Sequence, residues 1–184
     1  MKKEQTFENY AIQQELTEFN YCIFKNTSFF KSNLRSFEFI DCTFISCDFS
    51  MANFDNIVLT RVKFIDCKML GVDFSKCSKY SLSVTFDKCI LNYCHFLKNN
   101  LKKTQFNECI IKEANFFETD LKEASFKQCD LTDSIFKQCN LEQCDFRSSR
   151  NYSFVPSENK IKKAKFSFPD VIGLLKHYNI IIEE

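Results

Sequence analysis

Large apolar residues recur at every fifth position over most of the chain. One run steps from Phe19 to Phe74 and a second steps from Phe86 to Phe146, and every step in both runs is Phe, Leu, Ile or Met. An amphipathic helix would repeat about every 3.6 residues and a half-buried strand every two, so neither element explains the pattern. The spacing predicts a repeating unit of five residues with one large apolar side chain, which we call its centre.

A second periodic position lies two residues before each centre and holds a small or slim side chain, such as Thr27 or Ala52. Phe37 is the main exception. Ten of the eleven cysteines occupy this position, and Cys77 keeps the same phase ten residues after Cys67. Eleven is an odd number for a disulfide framework. We therefore interpret the cysteines as small buried apolar residues that share a position with Ala, Ser, Thr and Val.

The order small, polar, Leu or Phe, and two variable residues resembles the motif of the pentapeptide-repeat family, and the resemblance covers residues 17–148. It implies an all-β solenoid, a right-handed quadrilateral β-helix in which each five-residue unit forms one side of a square coil. Four units make one coil, so residues 20 positions apart should stack. About six coils, each rising ~4.8 Å as paired strands do, would form a rod roughly 30 Å long.

Stacking at this spacing can be followed along the sequence. One side of the coil would hold a ladder of phenylalanines: Phe24, Phe44, Phe64, Phe86, Phe106, Phe126 and Phe146. The opposite side would hold Leu34, Phe54, Phe74, Phe96, Phe116 and Phe136. The two sides keep one register only if the twelve residues from Phe74 to Phe86 are two units plus two extra residues. We expect a small loop or bulge within residues 75–85.

The segments at either end of the repeat would cap it, because an open solenoid end exposes backbone and core. Residues 1–16 would form the N-terminal cap, residues 17–148 the β-helix, and residues 149–184 a C-terminal cap and dimerisation segment. Pro169 can open a short helix there, with Asp170 in its first turn. A folded-back cap and a two-fold dimer seam are compatible interpretations, and the dense apolar content favours a homodimer. Its interface would use Phe168, Val171, Ile172, Leu174, Leu175, Tyr178 and Ile180, followed by a strand-like run over residues 180–182.

Composition and charge narrow the possible functions. Two glycines cannot build a Gly-rich phosphate loop. The chain carries 25 basic and 24 acidic residues, and residues 17–148 carry 17 of each. This neutral balance argues against direct binding of nucleic acid or an anionic membrane. No apolar run approaches the ~20 residues of a membrane span and no secretory signal is recognisable, so we expect a cytoplasmic location with reduced thiols. A basic patch near the C-terminus consists of Lys160, Lys162, Lys163 and Lys165.

Residues with catalytic or metal-binding chemistry are sparse. The two histidines, His95 and His177, belong to no triad or HExxH pattern, and no cysteines are spaced as CxxC. A closely packed lumen would leave no cavity for a substrate. We predict that the protein is not an enzyme and has no catalytic residue, metal or cofactor.

Within the pentapeptide-repeat family, the stretches CDFSMANFDN (residues 47–56) and LGVDFSKC (residues 70–77) are similar to the Qnr quinolone-resistance proteins. A single interruption at mid-rod and an apolar C-terminal helix also resemble that group. The resemblance implies a bacterial, dimeric rod that binds DNA gyrase and topoisomerase IV and protects them from quinolones. It also implies a partner-binding loop at the interruption, which would contain Lys76, Lys79, Tyr80 and Leu82.

Two alternatives stay open at this point. The interruption could be a two-residue bulge with no partner, and the protein could be a structural interaction scaffold whose partner is unidentified and is not a topoisomerase. The DNA mimicry proposed for Qnr-like proteins would require an acidic surface, whereas acidic and basic residues are here equal in number and interleaved. The sequence therefore predicts the fold more narrowly than it predicts the partner.

Overall fold

A computed structural model describes residues 1–78 and 82–183. Within these ranges the regular elements are strands of two to four residues and three 3₁₀ helices. The strands are β1 (Lys2–Lys3), β2 (Thr6–Glu8), β3 (Glu18–Asn20), β4 (Ile23–Lys25), β5 (Glu38–Ile40), β6 (Thr43–Ile45), β7 (Val58–Thr60), β8 (Val62–Ile65), β9 (Val84–Asp87), β10 (Gln105–Asn107) and β11 (Ser125–Lys127). The 3₁₀ helices span Phe74–Lys76, Pro156–Glu158 and Asp170–Tyr178.

Parallel pairing arranges the chain into a solenoid with four faces. The first face contains β1, β3, β5 and β7, and the second contains β2, β4, β6, β8, β9, β10 and β11. Isolated parallel bridges join successive coils on the third face, as between Asp48 and Lys68, and on the fourth, as between Asn115 and Ile135. The same kind of bridge extends the first face from Asn100 towards the C-terminus. The expected all-β solenoid is therefore confirmed.

The register shows where the two extra residues lie. Strands β1 and β2 pair with residues 17 positions later. From β3 onward the paired residues are 20 positions apart before and after the interruption, and 22 apart across it, as in the pair Phe64 and Phe86. The backbone N–H of Ser78 donates to Ile57 and that of Ser83 donates to Leu59, both in the preceding coil. The two extra residues therefore lie between Ser78 and Ser83.

Stacked aromatic rings fill two opposite faces of the core. On the second face the rings of Phe106 and Phe126 lie 4.7 Å apart with planes at 5°. On the fourth face Phe96 and Phe116 lie 4.8 Å apart at 7°. Rings of the two ladders also meet edge to face, as Phe106 does with Phe116 at 6.3 Å and 87°. Such ring pairs add ~0.5–1.5 kcal/mol each beyond the burial of apolar area. Buried leucines and isoleucines fill the remaining two faces in the later coils.

The corners between faces have left-handed backbone conformation. The residue two positions after most centres has a φ near +50 to +60°, as at Lys103 (59°) and Glu123 (60°). This conformation costs an L-residue roughly 1–2 kcal/mol. Most corners between the ends of the rod gain a hydrogen bond in return, because the corner N–H donates to the next coil, from Lys103 to Lys122 at 2.9 Å and from Glu123 to Glu142 at 2.9 Å. Among the described corners Gly71 alone is a glycine.

The C-terminal end closes the core with a different arrangement. Tyr152 and Phe154 leave the five-residue phase and are buried beneath Phe146, with ring centroids 5.5 and 5.8 Å from it. The 3₁₀ helix Asp170–Tyr178 packs on them through Gly173 and Leu174, which are both buried. A Cβ at Gly173 would lie 2.1 Å from the carbonyl oxygen of Tyr152, so no larger side chain fits there. The strand-like run expected over residues 180–182 is not a strand in the structure.

Candidate interaction surfaces

The interruption presents a short segment on the first face and at the neighbouring corner. Lys76 is exposed, and its Nζ lies 3.7 Å from the Oδ1 of Asp55 in the preceding coil. Leu82 is half-buried and packs against the core. Lys79 and Tyr80, which the sequence analysis also assigns to this loop, lie outside the described residues. Of the four predicted loop residues, the structure thus places one on the surface and one against the core.

The apolar residues of the C-terminal segment divide into two groups. Leu174 is 7% exposed and belongs to the cap, and Val171 and Ile172 are half-buried. The other four residues predicted for the dimer interface are exposed: Phe168 (80%), Leu175 (39%), Tyr178 (53%) and Ile180 (55%). The segment therefore caps its own rod with one group and presents the other group to its surroundings.

Surface charges of opposite sign pair between coils. Lys98 Nζ lies 3.4 Å from a carboxylate oxygen of Glu118, which is 20 residues later. Lys103 pairs with Glu123 in the same way at 3.6 Å, and Lys122 with Glu142 at 3.7 Å. Exposed pairs of this kind contribute little to stability. Their consequence is electrostatic, because a surface built from such pairs has no continuous acidic stripe.

The carboxylate of Asp130 joins the rod to its last coil. Asp130 is 7% exposed and accepts hydrogen bonds from Thr132 Oγ1 at 2.6 Å and from Asn151 Nδ2 at 2.9 Å. Lys112 and Arg150 approach it at 3.5 and 3.6 Å. Burial alone would raise its pKa, but the hydrogen bonds and the charge of Lys112 outweigh burial and lower the pKa to about 2. Asp130 is therefore ionised at neutral pH and holds residues from three coils together.

The cysteine side chains offer no reactive site. All eleven are free and buried. Burial raises the pKa of Cys42 from its ordinary 9.0 to about 12 and that of Cys139 to about 11. A thiol rather than a thiolate is a poor nucleophile and a poor metal ligand. The stacked cysteines thus act as the small buried side chains that their position in the repeat predicts.

Across residues 1–78 and 82–183, no three side chains of His, Cys, Asp or Glu are grouped so that they could hold a metal ion. His177 Nε2 lies 3.1 Å from the hydroxyl of Ser153, which attaches the C-terminal helix to the rod, and His95 is exposed on the fourth face. No helix in these ranges has the length and apolar content to cross a bilayer.

Comparison with known proteins agrees with this architecture. Residues 37–116 and 81–166 match the family model of the pentapeptide repeat region, which together is more than half of the chain. The chain belongs to the pentapeptide-repeat family. A pentapeptide-repeat rod of this kind is a non-catalytic type of scaffold. No curated protein matches the sequence.

A solved structure of another pentapeptide-repeat protein has the same fold. A trypsin-treated form of QnrB1, a plasmid-mediated fluoroquinolone resistance protein, is similar with a TM-score of 0.66 and 20% identity, over 98% of this chain and 99% of that one. HetL, a pentapeptide-repeat protein involved in regulating heterocyst differentiation in the cyanobacterium Nostoc sp., is 10% identical, with a TM-score of 0.44 over 79% of this chain and 86% of that one. At 20% identity the likeness to QnrB1 shows the fold alone.

One apolar feature of this pentapeptide-repeat protein has no signal in the five-residue pattern. On the third face and the corner that follows it, large apolar side chains outside the centre positions are exposed in several coils, among them Phe30 (50%), Met51 (58%), Tyr93 (52%) and Ile110 (39%). Gly71 makes room for this strip, because a Cβ there would come within 3.0 Å of Met51 Sδ. Variable positions of the repeat tolerate any residue, so the strip becomes visible only when the coils are stacked.

Proposed function

We propose that this protein is a non-enzymatic rod that binds and modulates DNA gyrase and topoisomerase IV and thereby protects them from quinolones. The observation that carries the proposal is the match in shape to QnrB1 over nearly the whole of both chains. QnrB1 is named as a fluoroquinolone resistance protein. The single interruption at mid-rod supports the proposal, because exposed loops on a rigid scaffold are the usual carriers of function.

The charge distribution bears on how such binding would occur. Mimicry of DNA would need an acidic surface in place of phosphates. The cross-coil pairs, such as Lys98 with Glu118, leave the rod with a nearly neutral surface. We therefore propose contact through the interruption, with Lys76, Lys79, Tyr80 and Leu82 as the partner-binding residues.

The proposal includes a cytoplasmic homodimer joined through the C-terminal segment. Exposed apolar side chains at a chain end support it, because patches of this kind commonly mark protein interfaces. Phe168 is 80% exposed and Ile181 is 89% exposed in the single chain. A two-fold seam would cover both without disturbing Leu174 in the cap.

The deciding experiment is DNA supercoiling by the cognate gyrase in the presence of a fluoroquinolone, with this protein titrated in. We expect activity to be restored at low-micromolar protein. Deleting Lys79 and Tyr80, which returns the chain to an uninterrupted 20-residue spacing, should abolish protection while circular dichroism shows a folded rod. The matched control is Lys98→Ala, because Lys98 occupies the same corner as Lys76 one coil later. If folded wild-type protein changes neither gyrase activity nor drug inhibition at saturation, the proposal is wrong.

A second candidate function is that of a scaffold for a partner other than a topoisomerase. The neutral, internally paired surface favours it, because such a surface gives little electrostatic attraction to a DNA-binding groove. Affinity purification with wild type and with the deletion variant distinguishes the two. Retrieval of one non-topoisomerase protein by both baits, with no effect on gyrase, would select the scaffold.

A further inference from the structure

The last coil of the solenoid has an edge on the first face with free hydrogen-bonding groups. On the first face after the interruption, each earlier centre donates its N–H to the coil that follows: Leu101 to Asp120, Leu121 to Asn140 and Leu141 to Lys160, each at 2.8 Å. In the last coil, residues 149–168, the N–H groups of Ile161 and Lys163 have no acceptor within the part of the chain that the structure describes. A following coil would be needed to accept from these two N–H groups, as the following coils accept from Leu121 and Leu141.

The same edge also has a free acceptor. The carbonyl oxygen of Thr119 accepts from Asn140 at 3.1 Å, and that of Cys139 accepts from Lys160 at 3.0 Å. The next carbonyl in this column, that of Asn159, receives no donor among the described residues. Asn159 and Ile161 are partly exposed, so the edge is open to an added chain. Alternating free donors and acceptors on an exposed edge are a template for an extended peptide.

Lysines surround this edge. A hydrogen bond from Arg147 and, more weakly, the charge of Lys165 lower the pKa of Asp145 in the preceding coil. Lys160, Lys162, Lys163 and Lys165 are all exposed, and no ion pair forms at any of them within the described ranges. The acidic residues of the preceding coil already form ion pairs with other basic residues, Glu142 with Lys122 and Asp145 with Arg147. Residues 159–168 carry four lysines and no acidic residue. The edge therefore combines free backbone groups with a concentrated positive charge.

Lysines on an edge strand commonly have a protective role, since they discourage pairing between edges. The N-terminal edge of the same solenoid provides a comparison. There the exposed strands β1 and β2 and the turn between them carry Lys2, Lys3, Glu4 and Glu8, which are of mixed sign. Protection therefore does not require a single sign of charge. Prevention of edge-to-edge pairing therefore does not explain why the C-terminal edge carries positive charge only.

We propose that the first-face edge of the last coil, residues 159–163, binds an extended acidic segment of a partner protein by strand addition. The backbone N–H groups of Ile161 and Lys163 and the carbonyl of Asn159 pair with the segment. Lys160, Lys162 and Lys163 select for carboxylates on it, and Lys165 extends the positive charge onto the second face. This inference does not depend on a topoisomerase being the partner.

The test uses fluorescence anisotropy of the full-length protein with a labelled peptide of alternating Glu and Val. Three matched probes accompany it: the same peptide with alternate amides N-methylated, a peptide with Lys in place of Glu, and a twelve-nucleotide oligothymidine. The variant is Lys160→Glu with Lys162→Glu. Its control is Lys25→Glu with Lys127→Glu, which makes the same charge change at exposed second-face lysines that have no ion pair among the described residues.

We expect wild type to bind the acidic peptide and not its Lys counterpart. The edge variant should bind at least tenfold more weakly, the control within about twofold of wild type, and the N-methylated peptide at least fivefold more weakly. Circular dichroism and thermal melting of both variants establish that each is folded.

Several results would overturn the proposal. No binding up to about 1 mM would do so, as would an equal loss of affinity in the control variant. Equal binding of the N-methylated peptide would mean contact by charge without strand addition. Tighter binding of oligothymidine would assign the edge to nucleic acid. Self-association that the edge variant abolishes would make the acidic tail of a second copy the occupant.

Discussion

The middle of the rod and its C-terminal end differ in how completely neighbouring coils cover their apolar side chains and pair their polar groups. Around Phe106 each centre is stacked between two others, each corner N–H has an acceptor, and surface lysines pair with glutamates one coil away. At the last coil the lysines are unpaired, the edge N–H of Ile161 has no acceptor among the described residues, and Phe168 is 80% exposed. A solenoid unit is satisfied by its neighbours on both sides, and a terminal unit has one neighbour only.

This difference indicates where stability and recognition reside. In the middle, substitution of almost any surface residue should lower the free energy of unfolding only slightly, because ring stacking, thiol burial and the backbone hydrogen bonds between coils supply most of the stability. At the end, the groups that a further coil would have covered are available to a partner. We expect changes in the middle to alter unfolding and changes at the end to alter binding.

The largest expected effect is alkaline unfolding of the middle. Cys42 and Cys139 have pKa values raised by burial to about 12 and about 11 from an ordinary 9.0. Above pH 9 the unfolded chain releases protons that the native thiols keep, so stability falls by ~1.4 kcal/mol per pH unit for each such thiol. Nine of the cysteines have raised pKa values, so the free energy of unfolding measured in urea should fall by several kcal/mol between pH 9 and pH 10.

Replacing both thiols by alanine supplies the control for this prediction. Ala114 and Ala124 occupy the same slot elsewhere, so Cys42→Ala with Cys139→Ala should fold. The double variant should reduce the loss of stability by ~2 kcal/mol per pH unit between pH 9 and pH 11. If the free energy of unfolding of the wild type did not change with pH over this interval, the native thiols would not have raised pKa values. Residues 149–184 contain no cysteine, so the C-terminal end should not add to the effect.

The next largest effect compares two phenylalanines. Phe106 is fully buried and stacks on Phe86 at 5.2 Å and on Phe126 at 4.7 Å. We expect Phe106→Ala to lower the free energy of unfolding by ~3–5 kcal/mol. Phe168→Ala at the exposed end should change it by less than ~0.5 kcal/mol at a protein concentration low enough for monomer. Urea unfolding measures both, and a loss below ~1 kcal/mol at Phe106 would contradict the ladder as a source of stability.

The same comparison separates what the sequence predicts from what it does not. The five-residue period fixes which side chains point inward, so the ladder through Phe24, Phe106 and Phe126 follows from counting. The two-residue excess between Phe74 and Phe86 follows from the same count, and the register across it is 22 residues. Repetition makes these features predictable, because the same local geometry recurs in every coil.

Features that occur once, or that depend on stacking, were not predictable in this way. Counting places Asn151 and Pro156 at centre positions, whereas Tyr152 and Phe154 fill the core there. Many of the left-handed corners are occupied by Lys, Glu or Gln, as at Lys103, Glu123 and Gln128, and these residue types give no local signal of positive φ. The free donors of the last edge could be found only from the hydrogen bonds of the coils before it.

A smaller effect tests how the end is closed. Gly173→Ala would place a methyl group 2.1 Å from the Tyr152 carbonyl, which is backbone and cannot move aside. We expect the helix Asp170–Tyr178 to lift from the rod and the free energy of unfolding to fall by ~1–3 kcal/mol. Hydrogen exchange should show faster exchange at Leu174 and Tyr152, with little change in the middle coils.

Gly71→Ala is the matched control for Gly173→Ala. Its Cβ would meet Met51 Sδ at 3.0 Å, the end of a flexible side chain, and other corners already hold larger residues with the same positive φ. The cost should be ~1 kcal/mol or less, with no change in exchange at Leu174. If the two glycine variants were equally destabilised, the close approach of the helix to Tyr152 would not be what closes the end.

The smallest predicted effect concerns surface charge, and it has opposite signs in the two regions. Lys98→Glu in the middle replaces the pair with Glu118 by two like charges and should destabilise by less than ~1 kcal/mol. Lys163→Glu at the end places a carboxylate among Lys160, Lys162 and Lys165, and should stabilise by a few tenths of a kcal/mol. Urea unfolding at low ionic strength should resolve both, and both should shrink in 1 M salt because the Debye length falls to ~3 Å. Two changes of the same sign would mean that the terminal lysines are already neutralised, and the last coil would then differ from the middle in backbone alone.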